Sequence, residues 1–130
     1  MNQNKTHTIL NEILIIDDDR FIAEVISASF GVSTGFKVVS CTTGKEAFEY
    51  LDGHHPDIVI LDLGLPDIDG IEMVRSVKAS RLDATLPVIV LSGSDESHLK
   101  RDAFEAGAAA YLLKPFNPSK LRELVSELTA

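Results

Sequence analysis

The chain is 130 residues long, with 45% hydrophobic and 25% charged residues and a formal net charge of −8. That is one domain's length of chain with ample apolar content for a core, and its acidity leaves little electrostatic reason to bind nucleic acid directly. No apolar run is long enough to span a bilayer, the opening MNQNKTHT lacks the apolar segment of a signal peptide, and Cys41 has no partner for a disulfide; a cytoplasmic protein without a membrane partner is expected.

Residues 1–10 read as a polar tail and residues 11–130 as the folded domain. The first element is Ile13-Leu14-Ile15-Ile16, an aliphatic run typical of a strand buried on both faces. It ends in Asp17-Asp18-Asp19. Asp19, farthest from the strand, is the cap of the helix that follows. Phe36–Ser40 mixes polar residues into a second strand and suits a sheet edge. Thr43-Gly44-Lys45-Glu46 fits a capping box, with Ala47, Phe48 and Leu51 on the inner face of its helix.

Ile58–Leu61 is a third strand, again aliphatic throughout and again ending in an acid, Asp62. Asp67 and Asp69 read as turn and cap residues before a helix with Ile71, Val74 and Val77 as its stripe. Val88–Leu91 is the fourth strand and leads into Ser92-Gly93. The helix after it has only Leu99, Ala103 and Ala106 facing inward and should be the most weakly anchored. Ala110–Leu113 is the fifth strand, followed by Lys114. Asn117-Pro118 then caps a last helix whose stripe is Leu121, Leu124, Val125 and Leu128.

Five strand–helix repeats with short connections predict an α/β domain, a doubly wound parallel five-stranded sheet with right-handed crossovers. The polar second strand favours the order 2-1-3-4-5 over a closed barrel. In such sheets ligands bind beyond the carboxyl ends of the strands. Asp17, Asp18, Asp62, Ser92 and Lys114 therefore all belong to one rim. Adjacent carboxylates raise one another's pKa, a cost that a divalent cation removes. Hard carboxylate oxygens suit Mg²⁺ (or Mn²⁺), and a carboxylate serves as the nucleophile where an aspartyl phosphate forms. Lys114 and Ser92 supply a cation and a hydroxyl for phosphoryl oxygens.

This set resembles the receiver domain of two-component response regulators. The resemblance rests on Asp17-Asp18 after strand one, Asp62-Leu63-Gly64-Leu65-Pro66-Asp67-Ile68-Asp69-Gly70 after strand three, Ser92-Gly93 after strand four and Lys114-Pro115-Phe116 after strand five. It implies a flavodoxin-like fold and phosphorylation of Asp62 by a histidine kinase or histidine phosphotransfer protein. It further implies metal held by Asp17, Asp18, Asp62 and the Gly64 carbonyl, with Lys114 on the phosphoryl group and a cis Lys114–Pro115 peptide. Ser92 and Tyr111 correspond to a switch pair, and the face of helix four, strand five and helix five to the surface that meets an effector or forms a homodimer. Leu65, Ser92 and Gly93 depart mildly from the commonest residues of the family. Gly64 leaves nothing beside Asp62 to shield a phosphoryl group from water.

Each residue has a plainer reading when taken alone. Asp17–Asp19 could be solvated acids at a helix start, Asp62 a turn acid, Ser92-Gly93 a loop dipeptide, Lys114-Pro115 a strand terminator and Tyr111 a half-buried edge aromatic. Their joint occurrence at successive strand ends favours the receiver over two rivals. One is a phosphorylation-independent scaffold of the same fold; the other is a Mg²⁺-dependent phosphatase or phosphotransferase, which would need a lid that the short connections lack. A signalling switch with limited self-phosphorylation and dephosphorylation is expected, not a turnover enzyme. Its output is open between a stand-alone receiver and part of a longer regulator.

Overall fold

The computed structural model describes residues 11–31, 35–80 and 85–130, so the expected polar tail at residues 1–10 lies outside the described residues. Strands and helices alternate throughout: β1 (Asn11–Ile16), α1 (Arg20–Ser29), β2 (Phe36–Cys41), α2 (Gly44–Leu51), β3 (Ile58–Asp62), α3 (Gly70–Ala79), β4 (Val88–Ser92), α4 (Ser97–Ala106), β5 (Ala110–Leu113) and α5 (Pro118–Thr129). The strands form one parallel sheet of order β2-β1-β3-β4-β5. This is the doubly wound, flavodoxin-like arrangement expected from the sequence, with the polar strand β2 at an edge.

The aliphatic runs explain the layering. Side chains alternate across a strand, so Ile13, Ile15, Ile58, Ile60, Ile89 and Leu91 pack with Ile26 of α1 and Leu121 and Val125 of α5. The intervening Leu14, Ile16, Val59, Leu61, Val88 and Val90 pack on the other face with Ala47 of α2, Met73, Val74 and Val77 of α3 and Ala103 of α4. Strands β3 and β4 are buried along their whole length because both faces are covered. Burying one such side chain contributes about 1.5–3 kcal/mol. In α4 only Ala103 is buried, which agrees with its thin apolar stripe.

Helix starts follow the capping signals. Asp19 accepts from the Phe21 and Ile22 N–H groups, Asp69 from Glu72 N–H, and Asn117 from Ser119 N–H with Pro118 behind it. Thr43 accepts from Glu46 N–H, but the return bond from Glu46 goes to the N–H and hydroxyl of Thr42, one residue earlier than a capping box requires. Two inner-face assignments shift. Phe48, expected inside, is 37% exposed, since Gly44, Ala47 and Leu51 define the inward stripe and Phe48 lies a further 100° round the helix. In α3, Met73 is fully buried while Ile71 is only half-buried.

Candidate functional site

Parallel register assembles the site. Ile16 of β1 pairs with Leu61 of β3, so the next residue along each strand is an acid, Asp17 beside Asp62. Asp62 pairs with Leu91 and Ser92 with Leu113, which brings Ser92 and then Lys114 to the same rim. The ladders continue one residue past the regular strands: Asp17 N–H donates to the Cys41 carbonyl at 3.0 Å and Lys114 N–H to the Ser92 carbonyl at 2.8 Å. Strand alternation then sorts the side chains by face. Asp17, Asp62 and Lys114 follow the parity of the α1/α5 side, whereas Ser92 and Tyr111 follow that of α2, α3 and α4.

The carboxylates are not solvated turn acids. Asp17 is 1% and Asp62 7% exposed. Lys114 Nζ bridges them, 3.3 Å from Asp17 Oδ2 and 3.2 Å from Asp62 Oδ1. The other Asp17 oxygen accepts from Asp19 N–H at 2.9 Å. Asp18 is exposed, yet Asp17, Asp18 and Asp62 each offer an oxygen lying within 4.8 Å of the others. Burial pushes the Asp17 carboxyl above its ordinary 3.8, and the neighbouring Asp62 adds to this; the Asp19 N–H and Lys114 oppose it without cancelling it. For Lys114, burial works against the charge, but the attraction of Asp17 and Asp62 prevails and lifts its pKa. Three carboxylates facing one ammonium leave the pocket short of positive charge, and a hard dication fits that oxygen donor set.

Ser92 is 5% exposed and its hydroxyl oxygen accepts from Ser94 N–H at 3.1 Å. The carbonyl of Ser94 in turn accepts from the Tyr111 hydroxyl at 2.7 Å. One residue of the β4–α4 loop therefore touches both members of the expected switch pair. Lys100 of α4 lies 5.9 Å from the centre of the Tyr111 ring. Beside Asp62 a cleft of about 370 Å³ opens between the β3–α3 and β4–α4 loops, lined by Gly64, Gly70, Ser92, Gly93 and Leu99 among others. A Cβ at Gly64 would sit 3.5 Å from Asp62 Oδ2, so that position borders the carboxylate directly and is left open. The Lys114–Pro115 peptide is cis.

Asp17, Asp18, Asp62, Ser92 and Lys114 thus come to one rim, and Tyr111, inside β5, reaches it through the Ser94 carbonyl. A role the sequence did not give is that of Asp67. It is not merely a turn residue: its carboxylate accepts from the Gly44 N–H at 2.9 Å and the Lys45 N–H at 3.0 Å, at the start of α2. Those two bonds hold its pKa below the ordinary carboxylate value. The partners are 23 and 22 residues away, so no local pattern announces them.

A family profile described as the response regulator receiver domain matches residues 13–126. The chain is 38% identical over 122 residues to the transcriptional regulatory protein KdpE of Mycobacterium tuberculosis, covering 91% of this chain and 52% of that protein. It is 35% identical over 118 residues to the phosphate regulon transcriptional regulatory protein PhoB of Pseudomonas aeruginosa, covering 91% and 50%. Among solved structures, a putative response regulator from Chloroflexus aurantiacus superimposes with a TM-score of 0.84 at 34% identity, covering 92% of this chain and 98% of that one. A BeF3-activated DrrB receiver domain gives 0.82 at 31% identity, with 92% and 97% covered.

The chain belongs to the response regulator receiver domain family. It is a receiver domain of the two-component response regulators, a class of signalling switches that work with histidine kinases and effectors. It spans about half the length of the curated relatives it matches. Receiver domains bind Mg²⁺ at an acidic aspartate cluster, and Asp17, Asp18 and Asp62 form such a cluster here. Among the described residues no helix is long and apolar enough to cross a membrane.

Proposed function

We propose that residues 11–130 form a cytoplasmic receiver domain that accepts a phosphoryl group on Asp62 from a histidine kinase or histidine phosphotransfer protein. The observation that carries this reading is the Lys114 ammonium held between two nearly buried carboxylates, Asp17 and Asp62, with Asp18 alongside. An Asp62 oxygen attacks phosphorus as the phosphorus–nitrogen bond of the donor phosphohistidine breaks, and the imidazole leaves with the electron pair. Asp17, Asp18, Asp62 and the Gly64 carbonyl would hold Mg²⁺ or Mn²⁺, which would supply positive charge to offset that of the phosphoryl oxygens. Lys114 moves from bridging two carboxylates to contacting the new phosphoryl group. The domain acts as a switch with limited self-phosphorylation and dephosphorylation, not as a turnover enzyme.

The Ser92 hydroxyl then donates to a phosphoryl oxygen, and the Ser94 backbone, whose N–H is bonded to Ser92 and whose carbonyl is bonded to Tyr111, passes the shift to the ring. Changing a two-state balance from 1:99 to 99:1 needs about 5.5 kcal/mol. Charge-assisted hydrogen bonds to Ser92 and Lys114, at about 1.5–3 kcal/mol each, are of that order. The thin anchoring of α4 makes the α4–β5–α5 face the place where an effector or a second copy reads the change. Exposed Phe104 on α4 and Leu113 on β5 support this.

Intact-mass measurement after incubation with Mg²⁺ and a small-molecule phosphodonor tests the reading. One phosphoryl group, absent in Asp62→Asn and prevented by a chelator, is expected. An adduct of equal yield in Asp62→Asn would overturn it.

A further inference from the structure

The β3–α3 turn, residues 63–69, keeps Gly64 beside the Asp62 carboxylate and is held at several points. Leu63 N–H donates to the Leu91 carbonyl at 3.1 Å, and Leu65 is buried in the core. Gly70 packs so closely on Leu63 that a Cβ there would lie 2.5 Å from the Leu63 Cα. Between these anchors the turn crosses to the start of α2. Asp67 accepts from the N–H groups of both Gly44 and Lys45, and Ile68 lies against Gly44, where a Cβ would meet its Cγ2 at 2.6 Å. Only Leu65 and Pro66 separate Gly64 from Asp67, one fixed by burial and the other by its ring. The first-turn N–H groups, which lack intrahelical partners, and the positive end of the α2 dipole make that helix start a strong donor site for a carboxylate.

We propose that Asp67 is a positioning residue: by tethering the β3–α3 turn to the α2 N-terminus, it holds the Gly64 backbone in place for metal binding. This rests on the reading that Gly64 is a metal ligand. A glycine has the widest backbone freedom of any residue, so its carbonyl direction is set by what fixes its neighbours. On the Asp62 side that is the sheet. On the other side it is the Asp67 tether. An outer support of this kind orients the ligand without touching the ion.

The test is a calorimetric Mg²⁺ titration of the full chain in four forms: wild type, Asp67→Ala, Asp67→Asn and Thr43→Ala. Thr43→Ala removes the other side-chain acceptor at the α2 start, the bond to Glu46 N–H, while leaving the turn tethered. Asp67→Ala should weaken Mg²⁺ binding about tenfold, the lower end of what losing an outer support costs. Asp67→Asn, which keeps one carbonyl oxygen as an acceptor, should fall between it and wild type. Thr43→Ala should bind as wild type does. In metal-free protein, amide hydrogen exchange at Gly64 and Leu65 should quicken in Asp67→Ala and not in Thr43→Ala. Wild-type binding with an unaltered Asp67→Ala, or equal weakening by Thr43→Ala, would overturn this inference alone. A wild type that binds no Mg²⁺ would overturn the metal reading of the site and this inference with it.

Discussion

Replacing Lys114 with Met removes the ammonium and keeps most of the side-chain stem. That ammonium sits 3.3 Å from Asp17 Oδ2 and 3.2 Å from Asp62 Oδ1, whose side chains are 0% and 10% exposed. Removing one partner of a fully buried pair costs about 3–5 kcal/mol. Lys114 is 23% exposed, so water offsets part of that loss, and the expected cost is about 2 kcal/mol. With a slope of about 2 kcal/mol per molar urea, the metal-free unfolding midpoint at neutral pH should fall by about 1 M. The loss should also depend on pH. Asp17 already titrates above 3.8 because of burial and Asp62, and two influences that pull it down, the charge and hydrogen bond of Lys114, vanish in the variant.

A carboxyl with a raised folded-state pKa binds its proton more tightly when folded, so stability falls as pH rises from 3.8 through the folded value. The gap between variant and wild type should therefore be small in acid and complete at neutral pH. At the alkaline end the gap should close again as Lys114 itself loses its proton. Its folded pKa lies above 10.5, so its contribution is full below 10.5 and is lost as pH rises through the folded value. Excess Mg²⁺, worth about 2.7 kcal/mol at a hundredfold over its dissociation constant, should restore the variant to at least the metal-free wild-type midpoint. Urea titrations with chelator and with Mg²⁺, at acid and neutral pH, measure all of this. An unchanged neutral midpoint in chelator, or a gap independent of pH below neutrality, would refute the charge-offset reasoning.

Gly64→Gln should lengthen the life of the aspartyl phosphate severalfold, since its side chain would begin 3.5 Å from Asp62 Oδ2 and cover the open side of the group; decay of the phosphorylated mass over time reads this. Gly70→Ala should cost about 1–3 kcal/mol, because its Cβ would meet the Leu63 backbone at 2.5–2.6 Å and the turn must shift; urea unfolding checks it. Leu121→Ala should cost about 2–5 kcal/mol by leaving a cavity under α5; urea unfolding measures the loss.

The rim was legible because Asp17, Asp62 and Ser92 each directly follow an aliphatic run. Once Ile13–Ile16, Ile58–Leu61 and Val88–Leu91 are recognised as central parallel strands, Asp17, Asp62 and Ser92 must share one end of the sheet. The separation of Asp17, Asp62 and Lys114 from Ser92 and Tyr111 was also present as strand parity, a period of two counted from the buried residues. Other features depend on tertiary approach. Phe48 looks like core by composition, but helical geometry turns it outward once Ala47 and Leu51 are seated. The bonds from Asp67 to Gly44 and Lys45 join segments 22 and 23 residues apart, so no local pattern encodes them. Glu46 is displaced to Thr42 by the same kind of detail: its reach was readable, its exact N–H partner was not.

The most direct test of Asp62 as phosphoacceptor is to phosphorylate the protein with Mg²⁺ and a histidine-phosphorylated donor, reduce the acyl phosphate with borohydride, and map the peptides. The account predicts that the reduced side chain appears at Asp62 and that Asp62→Asn yields none. Reduction at Asp17 or Asp18, or phosphate lodged on Ser92 with Asp62 unmodified, would contradict it.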